Sequence, residues 1–337
     1  MFVFSNLFYL PALFTLLSRI EGRPFLGGVM ILQFASLAFL LSHSDILIID
    51  SFKDGICVAI LFALVSEPFW MAYHGLMLRL TTDEDRGHQV SMAELGMRIG
   101  GIIGSLGAGL ALSFFPGQIF PLFCGATLLL STAGFFLLLL SRAPDERMRI
   151  SFLSLFVHII RNPMISMCTL VQGMMSALTG VLAPVWMSVI GFSGILAGLL
   201  MALQIVARLV AGPLAGQWFH DDKGRELRVG ALAHAAGWLS WIITSNPLAM
   251  IWSAFFWSAG SHMVNIGMDG RWYKSKSLAN MASREICLGI GRLSLLPIIL
   301  ILFTVSIKLF FVFAAITSIL LYVLCCLWQK QETKLNI

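Results

Sequence analysis

Glu67 has the setting in this sequence that most invites chemistry. It stands in Ser66-Glu67-Pro68-Phe69-Trp70-Met71-Ala72-Tyr73-His74, near the middle of an apolar run over 55–80. On a helix, spacings of three and four put Glu67, Trp70 or Met71, and His74 on one face. A carboxylate withdrawn from water exchanges its proton closer to neutral pH than an exposed one. Glu67 therefore reads as a group for proton exchange, with His74 as a second acceptor and Trp70 and Tyr73 beside a solute path. The plainer alternative is that Glu67 caps backbone groups freed by Pro68, or pairs with a neighbouring helix.

Other charged and aromatic residues interrupt apolar runs in the same way. Arg98 follows Glu94 by one turn, so the two can pair at i, i+4. Arg292 lies at a comparable depth in a later run, and either arginine could hold an anionic group or serve a structural pair. Arg208 is expected about two turns from a charged loop, where it can extend towards water. In the run 247–268, Trp252, Phe255, Phe256, Ala259 and His262 share a helical face. That face could line a path for an apolar or cationic solute, with His262 as a proton acceptor. Aromatic packing against lipid or other helices explains it nearly as well.

Composition says what solvent these residues meet. The chain has 337 residues, 58% hydrophobic and 12% charged, with a mean hydropathy of +0.89. That leaves too little polar surface for a soluble globule. The apolar runs are continuous rather than alternating, which indicates helices and not a β-barrel. A charge at the bilayer centre costs ~2.5–3.5 kcal/mol on insertion scales, so each buried charge needs a reason. The net charge of +5 is spread over short loops and does not form a nucleic-acid surface. Cys57, Cys124, Cys168, Cys287, Cys325 and Cys326 lie in or beside apolar runs without metal-ligand spacing. No metal, cofactor, phosphate-binding loop or nucleophile–base pair is expected, and hence no enzyme.

Apolar runs predict eleven helices, at 2–18, 25–43, 55–80, 88–113, 118–141, 164–188, 192–216, 229–245, 247–268, 282–306 and 308–329. If sides alternate, sixteen of the 22 Lys and Arg residues fall on one side, and only Lys53 and Lys308 fall on the other. The positive-inside rule then puts the C-terminus in the cytoplasm and the N-terminus outside. The polar interruption at 142–163 divides a bundle over 1–141 from one over 164–329, and 330–337 forms a tail. Within that linker, Phe152, Leu155, Phe156 and Ile159 have the spacing of an interfacial helix.

The stretch from Gly212 to Arg228 reads as a compact charged loop between two such helices. Its Asp221-Asp222-Lys223-Gly224-Arg225 core, with Gly212 and Gly216 before it, resembles the cytoplasmic loop motif of the major facilitator superfamily. Ser18-Arg19-Ile20-Glu21-Gly22-Arg23 is a weaker echo. Pro11 precedes Gly22-Arg23 by the same eleven residues that separate Pro213 from Gly224-Arg225. Phe69-Trp70 before His74 parallels Phe256-Trp257 before His262, and Glu94 with Arg98 parallels Glu285 with Arg292, all in the same order. Arg98-Ile99-Gly100-Gly101-Ile102-Ile103-Gly104-Ser105-Leu106-Gly107-Ala108-Gly109 resembles the superfamily's glycine-rich fifth-helix motif of exporters, with Gly104-Ser105 where the motif has Gly-Pro.

The resemblance implies an all-α, multi-pass fold in two pseudo-repeated bundles of five and six helices, aligned with helices two to twelve of a twelve-helix transporter. The first helix, which helps to line the cavity in that family, is not seen. It further implies secondary active transport of a small organic solute by alternating access, coupled to protons or another ion. Gly22, Arg23, Asp221, Gly224 and Arg225 would act as conformational contacts. The expected location is a bacterial inner (plasma) membrane, and import and export use the same architecture. The alternative is a non-transporting scaffold or assembly factor that keeps the fold.

Overall fold

The computed structural model describes residues 20–21, 98–99, 102–107, 109–110, 113–114 and 147–148. It also describes 152–335, apart from 190, 192, 221–223, 245, 275–277 and 304–305. Glu67, Trp70, Tyr73, His74, Gly22, Arg23 and Asp221 lie outside the described residues. Two dipeptides, β1 (Ile20–Glu21) and β2 (Arg147–Met148), pair antiparallel, with Ile20 opposite Met148 and Glu21 opposite Arg147. Every other described element is helical: α1 (Phe152–Arg161), α2 (Pro163–Val189), α3 (Gly194–His220), α4 (Arg225–Ile243), α5 (Pro247–Lys274), α6 (Leu278–Phe303) and α7 (Ile307–Leu335).

The long helices begin within a few residues of the expected positions, but several run further. α3 continues to His220, α5 to Lys274 and α7 to Leu335. Apolarity marks where a helix leaves the bilayer, while backbone hydrogen bonding continues into water through Gln217, Arg271 and Gln329. Most of the stretch 212–228 is accordingly helical, and only 221–224 stand between α3 and α4. Gly224 adopts φ 56°, ψ 24° just before α4, a left-handed conformation in which a Cβ is costly. α1 forms where the amphipathic spacing predicted an interfacial helix, and Leu155 is its buried contact.

Neighbouring helices follow the order α3, α5, α4, α7, α2, α6, with α1 against α6. The core of this arc is aromatic at one end. Trp238 stacks on Trp257 at 5.1 Å and on Phe311 at 5.7 Å, with Trp241 edge-on to all three. Towards the other end the packing is smaller, with Cys168, Val171, Met175, Ala231, Val264 and Leu321. The outer faces stay apolar: Ile195, Leu199, Val206 and Val210 on α3, and Ile316, Leu320, Val323 and Leu327 on α7 are all exposed. Exposed apolar stripes at helical spacing are what a helix presents when its solvent is lipid. By length and composition, Gly194–Phe219 and Lys308–Gln331 are the spans among the described residues that would cross a membrane unaided.

Candidate functional site

α5 carries Ser258, His262, Asn265 and Asp269 at spacings of four, three and four, a polar stripe down an otherwise apolar helix. His262 lies 15 residues after Pro247 and 12 before Lys274, and so at midspan. Its Nδ1 lies 3.2 Å from Nη2 of Arg98, which belongs to the helical residues of 98–114 in the other half of the chain. A guanidinium can only donate, so Nδ1 accepts and His262 is neutral with its proton on Nε2. Nε2 faces Gly212 of α3, where an added Cβ would stand 3.4 Å away. Two sequence-identified residues, Arg98 and His262, are therefore brought together across the two halves.

Arg208 completes this level. It lies 14 residues after Gly194 and 12 before His220, deeper than the two turns from water expected from the sequence, because α3 extends past the apolar run. Its Nε donates to Ser258 Oγ at 2.9 Å, and Ser258 Oγ donates to the Gln204 carbonyl at 2.9 Å. Ser258, Gln204 and His262 are all buried. One turn further along the stripe, Asn265 Oδ1 accepts from Gln172 Nε2 at 2.7 Å, linking α5 to α2. Arg292 stands 14 residues into α6, also at midspan.

Trp252 and Phe256 are placed differently from His262. They are 65% and 54% exposed, on the stripe that continues through Ala259 and Met263. α3 covers that stripe at Ala259 and Met263 through Ala211, Ala215 and Trp218. Trp257, next in sequence to Phe256, is the buried aromatic of this region. Closer still to α2 and α7, His234 donates from Nδ1 to Ser318 Oγ at 2.7 Å and accepts at Nε2 from Trp238 Nε1 at 3.3 Å. Its ring is thereby satisfied within one bundle, which suits a structural role.

The end of the bundle near Gly224 holds the charge pairs. Glu226, fully buried, accepts from Arg271 Nη1 at 2.5 Å. Arg271 also donates to the Gly267 carbonyl at 2.7 Å and packs over the rings of Phe219 and Trp328, each 5.3 Å from its guanidinium carbon. Arg225 stacks over Trp218 at 4.7 Å, tightening the α3–α4 turn. Arg284 is held by Asp269 and Glu285. Sequence reasoning named Arg225 and Gly224 but missed Glu226, Arg271, Asp269 and Arg284. The signal for Asp269 was the α5 stripe itself. The others sit at helix ends, where charge is commonplace and gives no warning.

The two halves also touch at the N-terminal end of α3. A Cβ on Gly109 would stand 2.7 Å from the Gly194 carbonyl oxygen and 3.0 Å from the Gly198 Cα. The small residues at that crossing let the two backbones meet.

A model of the Major Facilitator Superfamily matches residues 1–270. No curated protein matches the chain by sequence. Among solved structures, a single-substitution variant of the Escherichia coli fucose:proton symporter FucP superposes with a TM-score of 0.68 at 13% identity. The alignment covers 97% of this chain and 88% of that one. At that identity the likeness concerns the fold. With the family model spanning well over half of the sequence, the chain belongs to the Major Facilitator Superfamily, and is an integral, multi-pass membrane protein of a family of secondary transporters and not of enzymes.

Proposed function

We propose that this transporter couples protons to the movement of a small organic solute, by alternating access around the midspan cluster of Arg98, His262, Arg208, Ser258 and Gln204. The observation that carries the reading is the Arg98–His262 hydrogen bond between the halves. In that bond the imidazole supplies a lone pair. A protonated imidazole has none, and would face Arg98 from one half and Arg208 from α3 as like charges. The other charged side chains described along α5, Asp269 and Arg271, lie about two turns or more away with their own partners. Protonation and contact between the halves therefore exclude each other, and such exclusion is a coupling free energy. Because His262 is neutral in the joined state, with Nδ1 unprotonated, lowering the pH favours separation of the halves there.

Glu67 and His74 extend the proposal into the N-terminal half as further proton carriers, and Trp70, Tyr73, Trp252, Phe256 and Arg292 as residues along the solute path. Gly22, Arg23, Asp221, Gly224 and Arg225 would hold the cytoplasmic end, with the C-terminus on the same side. The support for this end is the density of basic side chains beside the α3–α4 turn. A bacterial inner membrane is the proposed location.

The test uses the protein in proteoliposomes with an imposed pH gradient. Replacement His262→Gln keeps a hydrogen-bonding amide but cannot titrate. Solute exchange should persist, while accumulation driven by the gradient should be lost. Accumulation equal to that of the unsubstituted protein would remove His262 from coupling and leave Glu67→Gln as the variant to examine. Absence of flux in every vesicle, with a cellular phenotype that survives Glu67→Gln but not substitution of Asp221, would favour the scaffold reading.

A further inference from the structure

Asn162 alone separates α1 from α2, and the bend between them is tied on both sides. The backbone N–H and side-chain Nδ2 of Asn162 donate to the His158 carbonyl at 3.2 and 3.3 Å, and Ser166 Oγ of α2 donates to the Ile159 carbonyl at 3.2 Å. Carbonyls at a helix end otherwise lack donors, so these bonds fix how α1 meets α2. Ser283 Oγ of α6 donates to the Leu155 carbonyl at 3.0 Å, and Leu155 is buried. Ten residues make about 15 Å of helix, roughly half the hydrocarbon of a bilayer. α1 is therefore too short to cross. It lies against the first turns of α6, which follow the Arg271 end of α5, and so at the Gly224 end of the bundle.

Away from α6, α1 is apolar and open. Phe156 and Ile160 stand four apart on one face and are 38% and 74% exposed, and Met167 on the second turn of α2 is 51% exposed. His158 and Arg161, three apart, form the edge beside that face. Arg161 is exposed and holds no ion pair among the described residues. We infer that this elbow binds anionic phospholipid of the leaflet at the Gly224 end, with Phe156 and Ile160 in the acyl boundary and Arg161 on the headgroup phosphate.

Two observations select this occupant. The helix that carries Met167 runs on into the membrane bundle, so lipid covers that side chain and, by continuity, the apolar surface of α1 leading to it. A partner arriving from water would leave Met167 uncovered. The charge is also one-sided: the chain has no Asp or Glu from 147 to 220, whereas Arg147, Arg149, His158 and Arg161 fall in the linker and α1. A guanidinium donates paired bonds to phosphate oxygens, and a zwitterionic headgroup offers the same phosphate together with an ammonium that the arginine repels. Since α1 is bonded to both α2 and α6, lipid held at the elbow bears on two helices of the bundle. The inference stands apart from the transport reading and from the solute.

Photocrosslinking of the full chain in nanodiscs tests the elbow at a single residue and needs no flux. p-Benzoylphenylalanine in place of Ile160 keeps an apolar side chain there. The same group in place of Leu320, exposed near the middle of α7, reports lipid contact away from the basic edge. The discs hold equal parts of phosphatidylglycerol and phosphatidylcholine, and the mass of each adduct identifies the lipid captured. The ratio of phosphatidylglycerol to phosphatidylcholine adducts at position 160 should be about five times that at position 320, as expected for one arginine at an anionic surface. Arg161→Gln, a change at an exposed side chain, should return the ratio at 160 to the value at 320. Equal ratios at the two positions would overturn the inference, as would a ratio that stays raised in Arg161→Gln. Adducts at 160 with a second copy of the chain, or no lipid adduct there at all, would overturn it too.

Discussion

Replacing Gly198 by alanine should bias the protein against the conformation in which its halves touch at the N-terminal end of α3. A Cβ there would stand 2.8 Å from the Ser105 carbonyl oxygen and 3.0 Å from the Gly109 Cα. Both obstacles are backbone, so no side-chain rotation relieves them, and the two helices must move apart by several tenths of an ångström. Overpacking of this kind costs about 1–3 kcal/mol. If the contact exists in one of two conformations, the ratio between them changes by roughly 5- to 150-fold.

Gly104 and Gly107 provide internal controls, since a Cβ at either has nothing within 4 Å. Alanine at these two sites raises helix propensity as it does at 198, by up to about 1 kcal/mol, but meets no obstacle. Spin labels at Leu110 and Leu196, both exposed, would report the spacing in nanodiscs by pulsed electron resonance. The ratio of short- to long-distance populations should fall at least five-fold in Gly198→Ala and remain unchanged in Gly107→Ala. An unaltered distribution in a folded Gly198→Ala protein would refute the reasoning. So would an equal shift in Gly107→Ala, because the effect would then not come from the crossing.

Two further expectations concern the Gly224 end. Glu226→Ala leaves the Arg271 guanidinium without its buried carboxylate, and should lower stability in detergent by about 3 kcal/mol. Glu226→Gln should cost less, since its amide oxygen still accepts, and equal thermal midpoints for all three proteins would show that the pair contributes nothing. Gly224→Ala should lose about 1–2 kcal/mol from the left-handed backbone alone. Gly224→Asn should lose less, because asparagine tolerates that region, and a reversed order of midpoints would contradict the assigned conformation.

The sequence by itself determined the class of protein, its family and, among the described residues, where the long helices begin. Each of these follows from local patterns: a bilayer demands about twenty apolar residues per span wherever they occur, and the Asp221–Arg225 motif is contiguous. The helix ends were less legible, as α3 shows, because apolarity records the lipid boundary and hydrogen bonding does not stop there. Arg98 and His262 were each conspicuous as polar groups in apolar runs, yet 164 residues separate them, and no pattern states that they meet. Gln204 and Ser258 were not legible at all. A glutamine or serine in a membrane helix is unremarkable until its neighbours are known.

Tertiary structure decided which polar groups share the midspan, and it did so through packing. α5 lies between α3 and α4, and this turns the Ser258–His262 face towards Arg208 while Trp252 and Phe256 stay exposed beyond the cover of α3. Propensity and hydropathy give each helix its length and its apolar face. The rotation of one helix against another is set by interdigitating side chains and close backbone crossings such as Gly109 on Gly198, and those depend on residues far apart in the chain.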